Sequence, residues 1–250
     1  RAIGAIPVPL NQDAAAAECV FPFTDAEVRF CLVEDQEQVD KMLEVRESCP
    51  QLAHIYYDDP RGLRNYQEDG LTALDDLLTA GKSFAASHPT FFKDEVAKAH
   101  ATDVAAMFFT SGTTGNPKGV VHTHSSLIDR AQAGAEFDKL TSNEEVLAYL
   151  PPAWIGQNIF SYAQWLACGY VVNCPESAST VTIDLKEVGP TYYFAPPRIF
   201  EGLLTSVMIR MEDAGALKRK MFEACMRVAK RVGPALMDGE PVGTLDRIKY

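Results

Sequence analysis

Residues Ala105 to Phe109 read AAMFF, and the next ten, Thr110 to Gly119, read TSGTTGNPKG. An unbroken apolar run suits a strand covered on both faces, as in the parallel sheet of an α/β protein. The ten residues after it suit neither strand nor helix: three glycines, three threonines, a serine and one lysine stand among them. Glycines keep side chains out of the way, so backbone amides can converge on a concave anion site, and hydroxyls and an ammonium add further donors. The chain must therefore carry a donor-rich turn at the end of a buried strand.

The two familiar phosphate loops do not fit. A Walker loop needs GxxxxGK followed by Ser or Thr. Counting from Gly112, Lys118 is preceded by Pro117 and followed by Gly119. A dinucleotide fingerprint needs GxGxxG opening a helix, and that spacing does not occur.

Around the loop, hydrophobic periodicity predicts alternating elements. Val28 to Val33 (VRFCLV) reads as a strand, and 36–47 as a helix with Val39, Met42, Leu43 and Arg46 at helical spacing. Asp35 is placed to cap that helix, with Gln38 completing a capping-box pattern. Leu52 to Tyr57 reads as a second strand, and the strand–helix–strand order predicts a parallel unit. The segment 2–10, punctuated by Pro7 and Pro9, is compatible with a short edge strand. The stretch 58–92 reads as an irregular surface connection with a helical patch near 71–78, and 94–102 as a helix or turn. Beyond the loop, Val120 and Val121 are extended, 125–137 is helical, 145–150 a strand, 159–166 helical and 170–173 a strand. A strand over 192–195 stops at Pro196-Pro197, and two amphipathic helices come after it. The predicted fold class is α/β, with mostly parallel sheets flanked by helices. Its expected division is 1–100, containing the irregular connection at 58–92, and 101–250, carrying the loop.

Composition narrows the function classes. The chain has 250 residues, 47% apolar and 23% charged, with 23 basic against 34 acidic side chains and a formal net charge of -11. That average field repels a polyanion, so nucleic acid is not an expected partner. Acidic residues gather at 34–76 (twelve against four basic) and basic ones at 218–231 (six against one). Both runs read first as solvated faces. The six cysteines form no CxxC pair, which suits a reducing cytosol, although pairing of Cys168 with Cys174 stays open. No apolar run reaches the roughly 18 residues of a membrane span. The chain opens RAIGAIPVPL without an initiator Met and ends DRIKY, so we expect a piece of a longer protein.

TSGTTGNPKG, with its SGTTG core, a variable residue, Pro, Lys and Gly, resembles the signature loop of the adenylate-forming superfamily, the AMP-binding synthetases. VVHTHSSLI (120–128) is similar to the family's sequence at the same place. LPPAWIGQNIF (150–160) and GPTYYFAPPRIFEGLL (189–204) resemble the family's next two motifs, and the bacterial long-chain fatty acyl-CoA synthetases look closest. The resemblance implies a portion of the family's large N-terminal domain. It also implies ATP and coenzyme A as co-substrates, Mg2+, and a small-molecule carboxylate, a fatty acid by preference, activated through an acyl-adenylate with release of pyrophosphate. By position, Thr110 is the magnesium-associated hydroxyl. Ser111, Gly112, Thr113, Thr114 and Gly115 cradle phosphates, and Lys118 holds the loop or the pyrophosphate in the catalytic role. Trp154, Ala195 and Pro196 become pocket-wall positions, with a plain core role for Trp154 kept open. Ala153-Trp154 stands where the family often has a histidine, so no histidine role carries over.

The family's later motifs, the aromatic-Gly-x-Thr-Glu segment, the ribose-binding aspartate, the hinge and the C-terminal lysine, do not occur in these 250 residues. The resemblance thus implies a fragment that does not complete the reaction alone. Two other readings stand beside it: a non-catalytic nucleotide- or acyl-binding module, and an adenylating enzyme for a different carboxylate. His122 and His124, spaced HxH, lack a third ligand at a telling spacing and read as structural. The expected location is cytoplasmic. The basic helix around 218–231 is a candidate for peripheral contact with anionic lipid at the inner face of a membrane.

Overall fold

In the computed structural model, which describes residues 4–110 and 115–244, helix α1 (Ala16–Asp25) starts where the Glu18 carboxylate accepts from the Ala15 amide at 2.9 Å. Strand β1 (Phe30–Val33) leads through Asp35 into α2 (Gln36–Ser48). The Asp35 carboxylate accepts from the Gln38 amide at 3.1 Å, satisfying one of the free donors of the first turn. Only half of the expected capping box forms, because the Gln38 side chain accepts from Lys41 Nζ instead. Strand β2 (His54–Tyr57) pairs parallel to β1 in the register Phe30↔His54 to Val33↔Tyr57, as the strand–helix–strand spacing predicts.

The segment 58–92 is more ordered than its sequence suggests. It contains a third parallel strand, β3 (Leu71–Ala73), and a 14-residue helix, α3 (Leu74–Ser87), followed by α4 (Phe91–Ala97). Three residues are too few for a period-2 pattern, and what fixes β3 is backbone geometry. The Ile55 amide donates to the Gly70 carbonyl at 2.9 Å. Gly70 has φ +75, and a Cβ there would lie 2.2 Å from the Ala53 carbonyl oxygen. Only glycine meets both demands.

Helices α1 and α2 share one core with the β1–β2–β3 sheet. Cys19 and Phe23 meet Met42, Val45, Cys49, Leu52 and Ile55, and Val39 is buried on the same helix. Each fully buried side chain of this size contributes roughly 1.5–3 kcal/mol of transfer free energy. The opposite face shows Phe30 at 59% and Leu32 at 64% exposure, with Phe30, His54 and Tyr56 stacked in a row.

Strand β4 (Val104–Thr110) corrects the expectation of a parallel neighbour. Its partner is the strand directly after the loop, β5 (Lys118–Thr123), and the pair is antiparallel. The apolar run is still half-enclosed, with Ala105, Ala106 and Phe108 buried. Helix α5 (His124–Phe137) comes next, burying Leu127, Ala131 and Ala135. Strand β6 (Glu145–Leu147) pairs parallel with β7 (Val171–Asn173). Between them run α6 (Ile155–Gln157), a π-helical stretch (Asn158–Ala163) and α7 (Gln164–Cys168). Helix α8 (Val181–Val188) completes this first unit, Arg1–Tyr193.

Two predicted strands do not form. Residues 5–10 stay outside any sheet, since Pro7 and Pro9 lack amides; the Pro7 carbonyl accepts from the Met107 amide at 3.1 Å. Residues 192–195 also make no ladder. All six cysteines are free, so the Cys168–Cys174 pairing is absent.

The second unit, Phe194–Tyr250, is built from α9 (Pro197–Glu212) and α10 (Ala216–Met237). Both helices occur where the apolar spacing places them. Their apolar stripes are not core, however: Phe200, Leu204, Leu217 and Met221 are half-exposed or more, and Val232 alone is buried among the described residues of the pair. No helix among the described residues is long and apolar enough to cross a membrane.

The Gly70 geometry gives a direct test. Gly70→Ala is expected to lower unfolding free energy by about 2 kcal/mol or more, through the positive φ and the clash together, read as a shift in the denaturant midpoint. An unchanged midpoint contradicts the role given to this residue.

Candidate functional site

The donor-rich stretch is the turn of a two-stranded hairpin. Register across β4 and β5 runs Phe108↔Val120, Phe109↔Gly119 and Thr110↔Lys118, so Thr110 and Lys118 face each other at the last pair. The Thr110 hydroxyl donates to the Lys118 carbonyl at 3.4 Å, a weak tie across the mouth of the hairpin. Both residues are exposed. Gly115, in the connecting segment 111–117, has φ +119, a conformation that side-chain-bearing residues avoid. Gly119 has an ordinary φ, but a Cβ there would lie 3.0 Å from Met107 Sδ and 3.3 Å from Phe109 Cζ. The Phe109 ring occupies the space that a side chain at 119 needs. The cradle positions Ser111, Gly112, Thr113 and Thr114 lie outside the described residues.

The direction of β5 has a chemical consequence. In a Walker or dinucleotide site the loop opens straight into a helix, whose N-terminal amides and dipole hold the anion. Here the chain leaves the turn along β5 and reaches α5 only after six residues, about 20 Å away at ~3.3 Å per residue. The first amides of α5 are also already engaged. Those of His124 and Ser125 donate to the Asp103 and Ala101 carbonyls at 3.1 and 2.8 Å, and Ser126 donates to the Thr123 hydroxyl at 3.1 Å. An anion at this turn must therefore be held by turn amides, hydroxyls and Lys118, without a helix dipole.

What the described residues offer a phosphate is a hydroxyl at one strand end, an ammonium at the other and, at Gly115, a backbone that only glycine adopts freely. For magnesium the described residues supply less. No group of three or more His, Cys, Asp or Glu among them is placed to hold a metal ion. A hard cation that prefers carboxylate and phosphate oxygens finds one hydroxyl, Thr110. The HxH pair does not gather ligands: His122 packs edge-on against Phe108, with centroids 5.7 Å apart, while His124 opens α5.

Trp154 precedes α6 and is 50% exposed, so it does not fill the core. Its carbonyl accepts from Asn158 Nδ2 at 3.3 Å, fixing the turn that presents the indole. Ala195 and Pro196 belong to the second unit, half-buried, with the Pro196 carbonyl accepting from the Ile199 amide as α9 begins.

A polar network in the first unit joins the start of the 189–204 motif to residues of 138–149, and the pairing itself has no signature in the sequence. The Thr191 hydroxyl accepts from the Glu145 amide at 2.9 Å and donates to Glu144 Oε2 at 2.7 Å. The Tyr192 hydroxyl donates to Asp138 Oδ2 at 3.1 Å, and Tyr193 stacks on Tyr149 with centroids 5.5 Å apart. The Thr191 hydrogen bond, aided by Thr141, holds the Glu144 carboxyl below its usual range, and burial together with the Asp138 bond pushes Tyr192 up. No spacing rule would have found this set, since its members come from two stretches, 138–149 and 191–193, about 40 residues apart.

Among known proteins, the donor-rich hairpin has a clear setting. Residues 2–243 match the family described as AMP-binding enzyme. A long-chain-fatty-acid–CoA ligase of Homo sapiens is 29% identical over 95% of this chain and 35% of its own length. One from Mycobacterium bovis is 26% identical over 100% of this chain and 41% of its own. The adenylation domain of a carboxylate reductase from Mycobacterium chelonae superposes with a TM-score of 0.62 at 14% identity, covering 84% of this chain and 34% of that one. This chain thus spans well under half the length of these relatives. The α/β fold agrees with that neighbour.

The contact beneath Phe109 makes the hairpin testable. Gly119→Val is expected to cost about 1–3 kcal/mol of stability by overpacking against Met107 and Phe109, whereas Gly119→Ala costs less. Equal midpoints for Val and wild type would contradict the packing.

Proposed function

This chain belongs to the AMP-binding enzyme family, and on that premise we propose that it is part of an ATP-dependent acyl-activating enzyme. The parent reaction joins a carboxylic acid to ATP as an acyl-adenylate, releases pyrophosphate, and passes the acyl group to coenzyme A. A long-chain fatty acid is the proposed substrate, supported by the names of the curated relatives. In this reading 1–100 and 101–250 are portions of two subdomains of the parent's large domain. The chain alone, at 35% of the human relative's length, holds the phosphate side of the site without completing it.

The observation that carries the proposal is the hairpin, with Thr110 and Lys118 paired across its mouth and α5 placed too far away to help. As pyrophosphate leaves, negative charge grows on the β- and γ-phosphate oxygens. Donors already aimed at those oxygens stabilise the transition state more than the ground state. We assign Ser111, Gly112, Thr113, Thr114 and Gly115 to the phosphates through amides and hydroxyls, and Lys118 to the departing pyrophosphate. Thr110 would hold a magnesium ion carried in with the nucleotide, and such an ion would neutralise phosphate charge. Trp154, with its exposed indole, is assigned to the acid side, as are Ala195 and Pro196 by motif likeness.

Carboxylate-dependent ATP–pyrophosphate exchange on the full-length parent, with a panel of acids, tests this. Fatty acids are expected to support exchange, and Thr113→Ala and Lys118→Ala each to depress it by roughly 10²-fold, the usual loss for one charge-stabilising donor. Exchange with an aryl or amino acid alone would select the other-carboxylate reading, and no exchange with any acid would leave only a binding module. Normal activity in both variants would remove the loop from the mechanism.

We place the parent in a reducing, cytoplasmic setting, on the free thiols, and any peripheral membrane contact on α10. That helix carries Lys218, Arg219, Lys220, Arg227, Lys230 and Arg231 beside exposed Leu217 and Met221. Removing the six charges from the parent is expected to abolish sedimentation with anionic liposomes; unchanged sedimentation rules the contact out.

A further inference from the structure

Residues 191–193 present a puzzle of attachment. They form no ladder, yet they are held at both ends. The amides of Thr191 and Tyr192 donate to the same carbonyl, Glu145 O, at 3.0 and 3.3 Å. The Thr191 hydroxyl closes a second ring in the opposite sense, accepting from the Glu145 amide and donating to Glu144 Oε2. Glu144 is itself braced, since its Oε1 accepts from the Thr141 hydroxyl at 3.0 Å and the Thr141 amide at 3.3 Å. One hydroxyl thus serves as acceptor and donor at once, which Val or Ala cannot do and Ser can. The bond to a carboxylate is the stronger kind.

What this latch aims is aromatic. Two residues on, Tyr193 lies nearly parallel to Tyr149, with rings 16° apart. Tyr149 heads the Leu150–Trp154 segment that ends in the half-exposed indole. The stack therefore ties that segment to the one latched by Thr191. Losing the Thr191 hydroxyl bonds would free the start of this short segment, and with it the placement of Tyr193 on Tyr149.

We propose that Thr191 is a positioning residue for the acid side of the site: its hydroxyl sets the register of Tyr192–Tyr193 against Tyr149, and through that stack determines which acids are accepted. The inference rests on the reading of the parent as an acid-activating enzyme. A purely structural staple would alter the amount of folded enzyme. A positioning residue alters the preference among acids, which does not depend on that amount.

The test uses the full-length parent and two fatty acids of different chain length. The ratio of their kcat/KM values is measured for wild type, Thr191→Val and Thr191→Ser, together with KM for acid and for ATP. Thr191→Val is expected to change the ratio several-fold and to raise KM for acid while leaving KM for ATP unchanged, with Ser restoring the wild-type ratio. A wild-type ratio and wild-type KM for acid in Thr191→Val overturn the proposal, even if total activity falls. If Thr191→Val does not fold, Glu144→Gln keeps the side-chain shape and removes the charged acceptor. It is expected to move the ratio in the same direction, and an unmoved ratio overturns the proposal. Failure of wild type to activate any acid would instead sink the enzyme reading, and this proposal with it.

Discussion

The antiparallel pairing of β4 with β5 is the constraint on which the candidate site depends. A strand followed by a loop and then a helix would have brought a helix N-terminus to the phosphates. A strand that returns alongside its predecessor sends the helix to the far end, where Ala101, Asp103 and Thr123 consume its first donors. That topology leaves no helix dipole at the turn, so on the proposed reading the glycine and hydroxyl residues of 110–119 supply the donors themselves. The weak Thr110–Lys118 tie marks where the two strand ends meet.

Several features are legible in the sequence because local rules decide them. Asp35 starts α2 by capping, and the apolar spacing of α2, α5, α9 and α10 is strong enough to place each helix. The parallel β1–β2 unit is implied by the order of its pieces. Strand β3 is not legible, because it is specified by the Gly70 carbonyl and a close approach to Ala53 rather than by side-chain pattern. The β4 partner is hidden for a related reason: AAMFF shows that the strand is enclosed and says nothing of which neighbour runs which way.

The site itself is half legible. TSGTTGNPKG announces donors in an order specific enough to identify a family, whereas the 189–204 motif does not reveal that its Thr191 meets Glu144 and Glu145. These three are common residues whose meaning lies in meeting across separate segments. Trp154 shows the opposite limit, since an aromatic in sequence reads equally as core or wall, and its exposure excludes only the core. Amphipathic spacing likewise places α9 and α10, yet their apolar stripes stand half-exposed within their own unit, because two helices alone offer too little surface to cover them.

The central claim is that this hairpin holds nucleotide phosphates by turn donors alone. Amide hydrogen exchange on the full-length parent, with and without ATP, addresses it most directly. The account predicts added protection across 110–118 and none at the α5 N-terminus, 124–127. Protection at 124–127 with no change across 110–118 would contradict it.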